Sequence, residues 1–234
     1  MKKQLIPIIA LAILLITSCI KNSGYTVNDG LKPDDIIAFT SIEPINPFAD
    51  SDAEILIRVR INPQSSANQS VTLTTTEGTI NGASKSESVT TNTDRYADFK
   101  LKTGQVAGPV LLKATVMTDY SRDTIINFLK AYPDSIIINP EKYVMEKNTT
   151  LPIEVNLFRH KGYPSAGQNI FYSATTLAGE KAGTVTPDGE FVPGNKINAT
   201  FTPNQDLEGD IFIIATIIKE DGSQMTSKTR VRVQ

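Results

Sequence analysis

Few residues in this chain are equipped for chemistry. One cysteine, Cys19, and one histidine, His160, stand among 234 residues. His160 lies in Arg159-His160-Lys161-Gly162, a basic turn after an apolar run. A single imidazole without a second histidine or a free thiol does not make a zinc site, which needs three or four such ligands. No serine sits in a Gly-x-Ser-x-Gly elbow, and no carboxylate is placed to orient His160. The acids gather as Asp34-Asp35, as Asp50 and Asp52, and as Asp206, Glu208 and Asp210. Calcium held by carboxylates at a junction between modules is one option for them. The junction segment Ala131-Tyr132-Pro133-Asp134 brings a single acid, so solvated turn residues are expected and no metal is assigned. Paired carboxylates for glycoside hydrolysis carry no spacing signature here. The expectation is a protein with no catalytic residues and no cofactor, and not an enzyme.

Binding is the remaining chemistry. Sugar recognition calls for exposed aromatic faces, and with tryptophan absent the candidates are Tyr120, Tyr132, Tyr143, Tyr163 and Tyr172. Tyr163, in the turn Gly162-Tyr163-Pro164 beside His160, is the best contact candidate, although a turn tyrosine packed on its own module is the blander reading. Nucleic acid would need a basic face. The chain instead has 23 basic and 25 acidic residues.

Cys19 is explained by what precedes it. Lys2 and Lys3 are followed by an apolar stretch from Leu5 to Ile16, then Thr17 and Ser18. That is the layout of a secretory signal, too short for a comfortable membrane span. Ile16-Thr17-Ser18-Cys19 resembles the lipobox of bacterial lipoproteins, which implies removal of residues 1–18 and a lipid on Cys19. The mature chain then has 21 basic against 25 acidic residues and no free thiol. It touches the membrane only through lipid, and stable anchoring takes at least two acyl chains. Ile20 in place of an aspartate implies sorting to the outer membrane, facing either the surface or the periplasm. Residues 19–33 are polar and turn-rich, a flexible tether reaching roughly 45 Å at about 3.3–3.6 Å per residue. Two tripeptides, Asp123-Thr124-Ile125 and Asp134-Ser135-Ile136, resemble the O-glycosylation signal of exported Bacteroidetes proteins, which implies Thr124 and Ser135 as glycan sites.

The elements that must carry these residues are strands. Ile55, Ile57, Val59 and Ile61 alternate with Leu56, Arg58 and Arg60, and Asn62-Pro63 ends the run. Alternation also marks 97–102, 110–116, 151–157, 197–201, 211–217 and 229–233. Shorter strands are expected at 36–38, from Val71 to a break at Glu77-Gly78, at 136–138 and at 170–174. A more continuously apolar strand is expected at 124–129. The pattern repeats: Gly108 to Val116 aligns with Gly209 to Ile217, and Ala97-Asp98-Phe99 with Ala199-Thr200-Phe201. Duplication explains an equal position in both blocks better than chance does. The expected fold is all-β, with two tandem immunoglobulin-like sandwiches at 34–131 and 132–234.

A family resemblance follows from the motifs. Thr72-Leu-Thr-Thr-Thr-Glu-Gly-Thr79, Thr93-Asp94, Ala97-Asp-Phe-Lys-Leu101 and the strand from Gly108 to Val116 resemble the Ig-like repeats of invasin- and intimin-type adhesins. The first block departs from that pattern at Asp94-Arg95-Tyr96, where an Asn-Gly turn is usual. Gly183-Thr-Val-Thr-Pro-Asp-Gly-Glu-Phe191 and Val192-Pro-Gly194 resemble other bacterial Ig-like repeats. The resemblance implies a non-enzymatic envelope lipoprotein for adhesion, display or protein–protein interaction, with an unknown protein or glycan as partner. An accessory glycan- or partner-binding subunit of an outer-membrane uptake complex is the alternative. The loops 159–167 and 177–183 are expected to form a distal contact tip.

Overall fold

Strict alternation of aliphatic and polar residues dictates sheets with one dry face, and the computed structural model, which describes residues 33–189 and 195–234, is built of them. The leader, Cys19, the tether up to residue 32 and the motif residues 190–194 lie outside the described residues. In the first half, β1 (Ile37–Glu43), β2 (Glu54–Ile61), β6 (Tyr96–Lys102) and β4 (Thr79–Ile80) form one sheet in the order β1-β2-β6-β4. Facing it is the sheet β5-β3-β7-β8, from β5 (Ser86–Thr90), β3 (Ser70–Thr75), β7 (Gly108–Val116) and β8 (Tyr120–Phe128). Ile55, Ile57, Val59 and Ile61 point inward from β2 and meet Val71, Leu73, Val110, Leu112 and Phe128 in one core. Each such buried side chain contributes roughly 1.5–3 kcal/mol against exposure.

The second half repeats the plan. β9 (Ser135–Pro140), β11 (Leu151–Phe158), β14 (Lys196–Pro203) and β13 (Gly183–Pro187) make the sheet β13-β14-β11-β9. β10 (Val144–Met145), β16 (Gln224–Val233), β15 (Gly209–Ile218) and β12 (Ile170–Thr176) make the sheet β10-β16-β15-β12. A separate core lies between them, around Leu151, Val155, Phe201, Ile213 and Val231. Pro152 sits in the central strand β11 at the last rung toward β9, where its carbonyl accepts the Glu141 N–H at 3.0 Å and only the return bond is missing.

The duplicated sequence pattern is a duplicated phase. Val110, Leu112, Ala114 and Val116 are buried on β7 as Ile211, Ile213, Ala215 and Ile217 are on β15. Phe99 on β6 and Phe201 on β14 are both buried. In each half the chain leaves its first strand and makes a parallel contact with its last. Phe48 bridges Leu129 in the first half, and β10 pairs with β16 in the second. The halves differ at one sheet edge. β5 lines the outer side of β3, whereas among the described residues no strand lines the outer side of β12, in the position of β3.

The structure departs from the sequence reading in the short and polar pieces. A helical turn occupies Pro33–Ile36, so the first strand starts at Ile37. β5, β10 and β13 add strands that alternation does not reveal, two of them with few apolar residues and one only two residues long. β8 starts earlier than expected and alternates, leaving Ile125 67% exposed.

Candidate functional site

The most densely built polar cluster lies where the two halves meet. The loop 159–167 leaves β11 and, in place of forming a distal tip, folds back onto the first half. Asp50, buried in the turn before β2, is its anchor. One carboxylate oxygen of Asp50 accepts hydrogen bonds from the backbone N–H groups of Asp52 at 3.0 Å and Ala53 at 2.8 Å. Its other oxygen faces Arg159 at 3.6 Å, and its backbone carbonyl accepts the N–H of Tyr163 at 2.8 Å. Gly162 makes this approach possible. At φ +69° it takes a conformation costly for other residues, and a Cβ there would stand 2.4 Å from the Asp50 carbonyl oxygen.

Arg159 is the hub on the other side. Its guanidinium donates to the Tyr132 carbonyl at 3.0 Å and to the Lys161 carbonyl at 2.9 Å. It also stacks over the Phe48 ring, 5.0 Å from the centroid. Lys161 faces Asp52 at 3.8 Å. The Asp50 and Asp52 carboxylates, weighed from sequence as calcium ligands or solvated turn residues, are thus met by cations from the other half.

Ser165 and Gln168 pin the linker. The Ser165 hydroxyl donates to the Ala49 carbonyl at 2.7 Å and accepts from the Ala131 N–H at 2.8 Å. The Ser165 N–H and the Gln168 side-chain amide both donate to the Ala131 carbonyl, at 2.9 and 2.8 Å. Both side chains are buried, so these bonds are protected from water and breaking one leaves a costly unpaired group. Gln105 adds a reciprocal pair: its carbonyl accepts from the Ala166 N–H and its side chain donates to the Pro164 carbonyl. Tyr132 in the linker accepts the Glu220 N–H on its hydroxyl, and burial is the main cause that raises its pKa. Nothing in this arrangement activates a nucleophile or poises an acid; it holds two bodies together.

Tyr163 is half exposed at this waist, held through its backbone. His160 is exposed, and its N–H donates to the Asp134 carboxylate at 2.6 Å. Ser135 is exposed at the start of β9, close to the waist, whereas Thr124 is half-buried on β8 opposite Leu112. The structure brings Tyr163 and His160, expected at a distal tip, to one region with Ser135, and nothing in the sequence marks Asp50, Arg159, Ser165 and Gln168 as a set. The available hint was small: Ser165-Ala-Gly-Gln168 is an uncharged stretch just after a basic turn.

A second feature sits at the edge of the second half. A cleft of about 280 Å³ opens between β12 and β13, lined by Tyr172, Thr175, Gly179, Lys181 and Val185 among others. The Tyr172 hydroxyl is buried beside it with no hydrogen-bond partner among the described residues, and burial pushes its pKa up to about 12.

No family model and no curated protein matches the sequence. Solved structures do. The adhesin InvE of Yersinia pseudotuberculosis is similar over 87% of this chain and 60% of its own, at 15% identity and a TM-score of 0.60. Invasin, described as a bacterial integrin-binding protein, is similar over 84% of this chain and 39% of its own, at 16% identity and a TM-score of 0.61. A tetra-tandem repeat from the extending region of a large adhesion protein is similar over 85% of this chain and 50% of its own, at 14% identity and a TM-score of 0.52. The chain therefore spans less than two thirds of these structures, and the likeness is one of fold: Ig-like β-sandwiches of the kind found in bacterial adhesins.

Proposed function

We propose that this chain is a non-enzymatic cell-envelope lipoprotein whose two Ig-like sandwiches, 34–131 and 132–234, act as one stiff module for adhesion, display or protein–protein interaction. The observation that carries the reading is the waist. A flexible pair of modules needs no buried serine joining Ala49 to Ala131, nor an arginine joining Asp50 to the linker. A molecule that must hold a contact surface at a fixed distance and angle from its anchor does. In this reading residues 1–18 are removed, Cys19 carries the lipid, 19–33 is the tether, and the second sandwich is presented outward on the outer membrane. The likeness in fold to InvE and invasin supports an interaction role.

Protease shaving of intact cells tests it. Loss of the folded part from untreated cells, with Cys19→Ser releasing the protein from the membrane fraction, is the expected result. A protein that resists shaving until the outer membrane is opened works in the periplasm, and the adhesive reading then fails.

A further inference from the structure

On three of the four outer sheet surfaces, cations stand against acids. Arg58 lies opposite Asp98 and Lys102 opposite Glu54 between β2 and β6. Lys113 lies opposite Asp123, and Lys196 bonds Glu154 at 3.0 Å. β16 is different. Gln224-Met-Thr-Ser-Lys-Thr-Arg-Val-Arg-Val233 holds three cations and no acid, in a chain with 25 acidic and 23 basic residues. Lys228, Arg230 and Arg232 occupy alternate positions, so all three are exposed on one face. β16 pairs with β15 along its whole length without a register shift, which fixes their spacing. Neighbouring cations stand ~7 Å apart, and the row is ~14 Å long.

Like charges in a row repel, and the fold supplies few acids to offset them. β15 presents one, Asp210, which lies opposite Arg232 but bonds Arg230. Glu208, also within the field of Arg232, is bonded to Lys147 at 2.6 Å. On the other side of Arg232 stands Val144 of β10, uncharged and 45% exposed. Among the described residues, no carboxylate forms an ion pair with Lys228 or Arg232. Lys228 is held over the Phe212 ring instead, 4.8 Å from the centroid, which sets its position and leaves its donors to solvent. The rest of the face suits a sugar. Ile214, half-buried on β15 opposite Lys228, gives an apolar shelf. Next along the strands come Thr216 and Thr226, whose hydroxyls meet at 3.1 Å, and the exposed amide of Gln224.

We propose that the outer face of β15 and β16 binds an acidic polysaccharide bearing carboxylates, laid along the row from Lys228 to Arg232. A planar guanidinium can hold a carboxylate by two parallel bonds, which suits Arg232 to one acid group of the chain while Lys228 takes another as a point charge. Sugar hydroxyls meet Thr226 and Gln224, and the C–H face of a ring lies on Ile214. A nucleic-acid strand would need an open aromatic face for its bases, and Phe212, the ring beside the row, lies under Lys228. The row ends far from the linker, because Tyr132 meets Glu220 at the opposite end of the sheet. That far end is the one presented outward in the display reading. The inference rests on that reading and names its partner.

The test measures binding of the full chain, in neutral detergent, to immobilised polygalacturonate at low salt, with neutral dextran as the blank. Wild type binds polygalacturonate and not dextran, and added salt weakens it. Lys228→Gln with Arg232→Gln raises Kd about ten-fold, through the loss of two charge-assisted contacts. Lys100→Gln with Lys102→Gln, an equal loss of charge on the first half, binds as wild type. Lys228→Arg with Arg232→Lys keeps both charges and also binds as wild type, which separates lost charge from lost structure; melting curves check the fold of every variant. No retention on polygalacturonate, an equal loss in both charge-removing variants, or oligothymidylate bound as tightly as polygalacturonate overturns the inference. Shaving-sensitive cells without retention remove the glycan site and leave display intact; retention with shaving-resistant cells keeps the site and removes display.

Discussion

Ser165 uses both hydrogen-bonding faces of its hydroxyl on backbone groups far from it in sequence, the Ala49 carbonyl and the Ala131 N–H. Replacement by alanine leaves both buried groups unpaired. Ser165→Ala should cost about 1–3 kcal/mol in chemical denaturation; an unchanged midpoint would show that the contact is not made in solution. Tyr172 makes the opposite case, a buried hydroxyl with no partner among the described residues. Its pKa in the fold, about 12, lies above the ordinary value of 10 because burial penalises the phenolate. The fold therefore keeps this contribution fully below pH 10 and loses it as pH rises toward 12. Absorbance titration should find one tyrosine ionising last, and Tyr172→Phe should remove that component and soften the alkaline loss of stability. The residues that form the waist were hard to read from sequence for a physical reason. Asp50 and Ser165 look like ordinary turn residues until the fold places them on the linker, whereas Tyr163 and His160 stand out by type alone.

At the scale of elements, alternation carries most of the information. The long strands β2, β6, β7, β11, β14 and β15 fall where aliphatic and polar residues alternate, because a strand with one dry face must have that pattern. β5 was not legible: Ser-Glu-Ser-Val-Thr has one aliphatic residue, and it forms because β3 offers it a ladder. The helical turn at Pro33–Ile36 was hidden by Ile36, which packs against the first core from outside the strand. Phe99 and Phe201 sit at the centre of the two cores on matching strands. Either change to alanine should cost about 3–5 kcal/mol. A melting temperature unmoved by Phe201→Ala would mean that β14 is not in this phase.

For the whole molecule, the repeat in the sequence reappears as two separate cores, but the loop 159–167, expected at a distal tip, lies at the other end. A hydrophobic pattern tells which face of a strand is dry; it says nothing about which end of a module a loop reaches. The waist predicts one orientation of the halves. Scattering from wild type should fit a single rigid shape. Gly162→Ala adds a Cβ against the Asp50 carbonyl, and Arg159→Ala removes the hub, so either should broaden the distribution of distances between the halves. Identical curves for both variants and wild type would mean that the linker alone sets the angle.

The parallel contacts between the early and late parts of each half, Phe48 with Leu129 and β10 with β16, have a mechanical consequence. Traction that drags the start of a sandwich one way and its end the other slides these segments along each other. Their cross-links are then strained simultaneously rather than peeled open singly. A pull between the two ends of either sandwich would therefore meet an abrupt yield point, a useful property in anything that must hold on in flow.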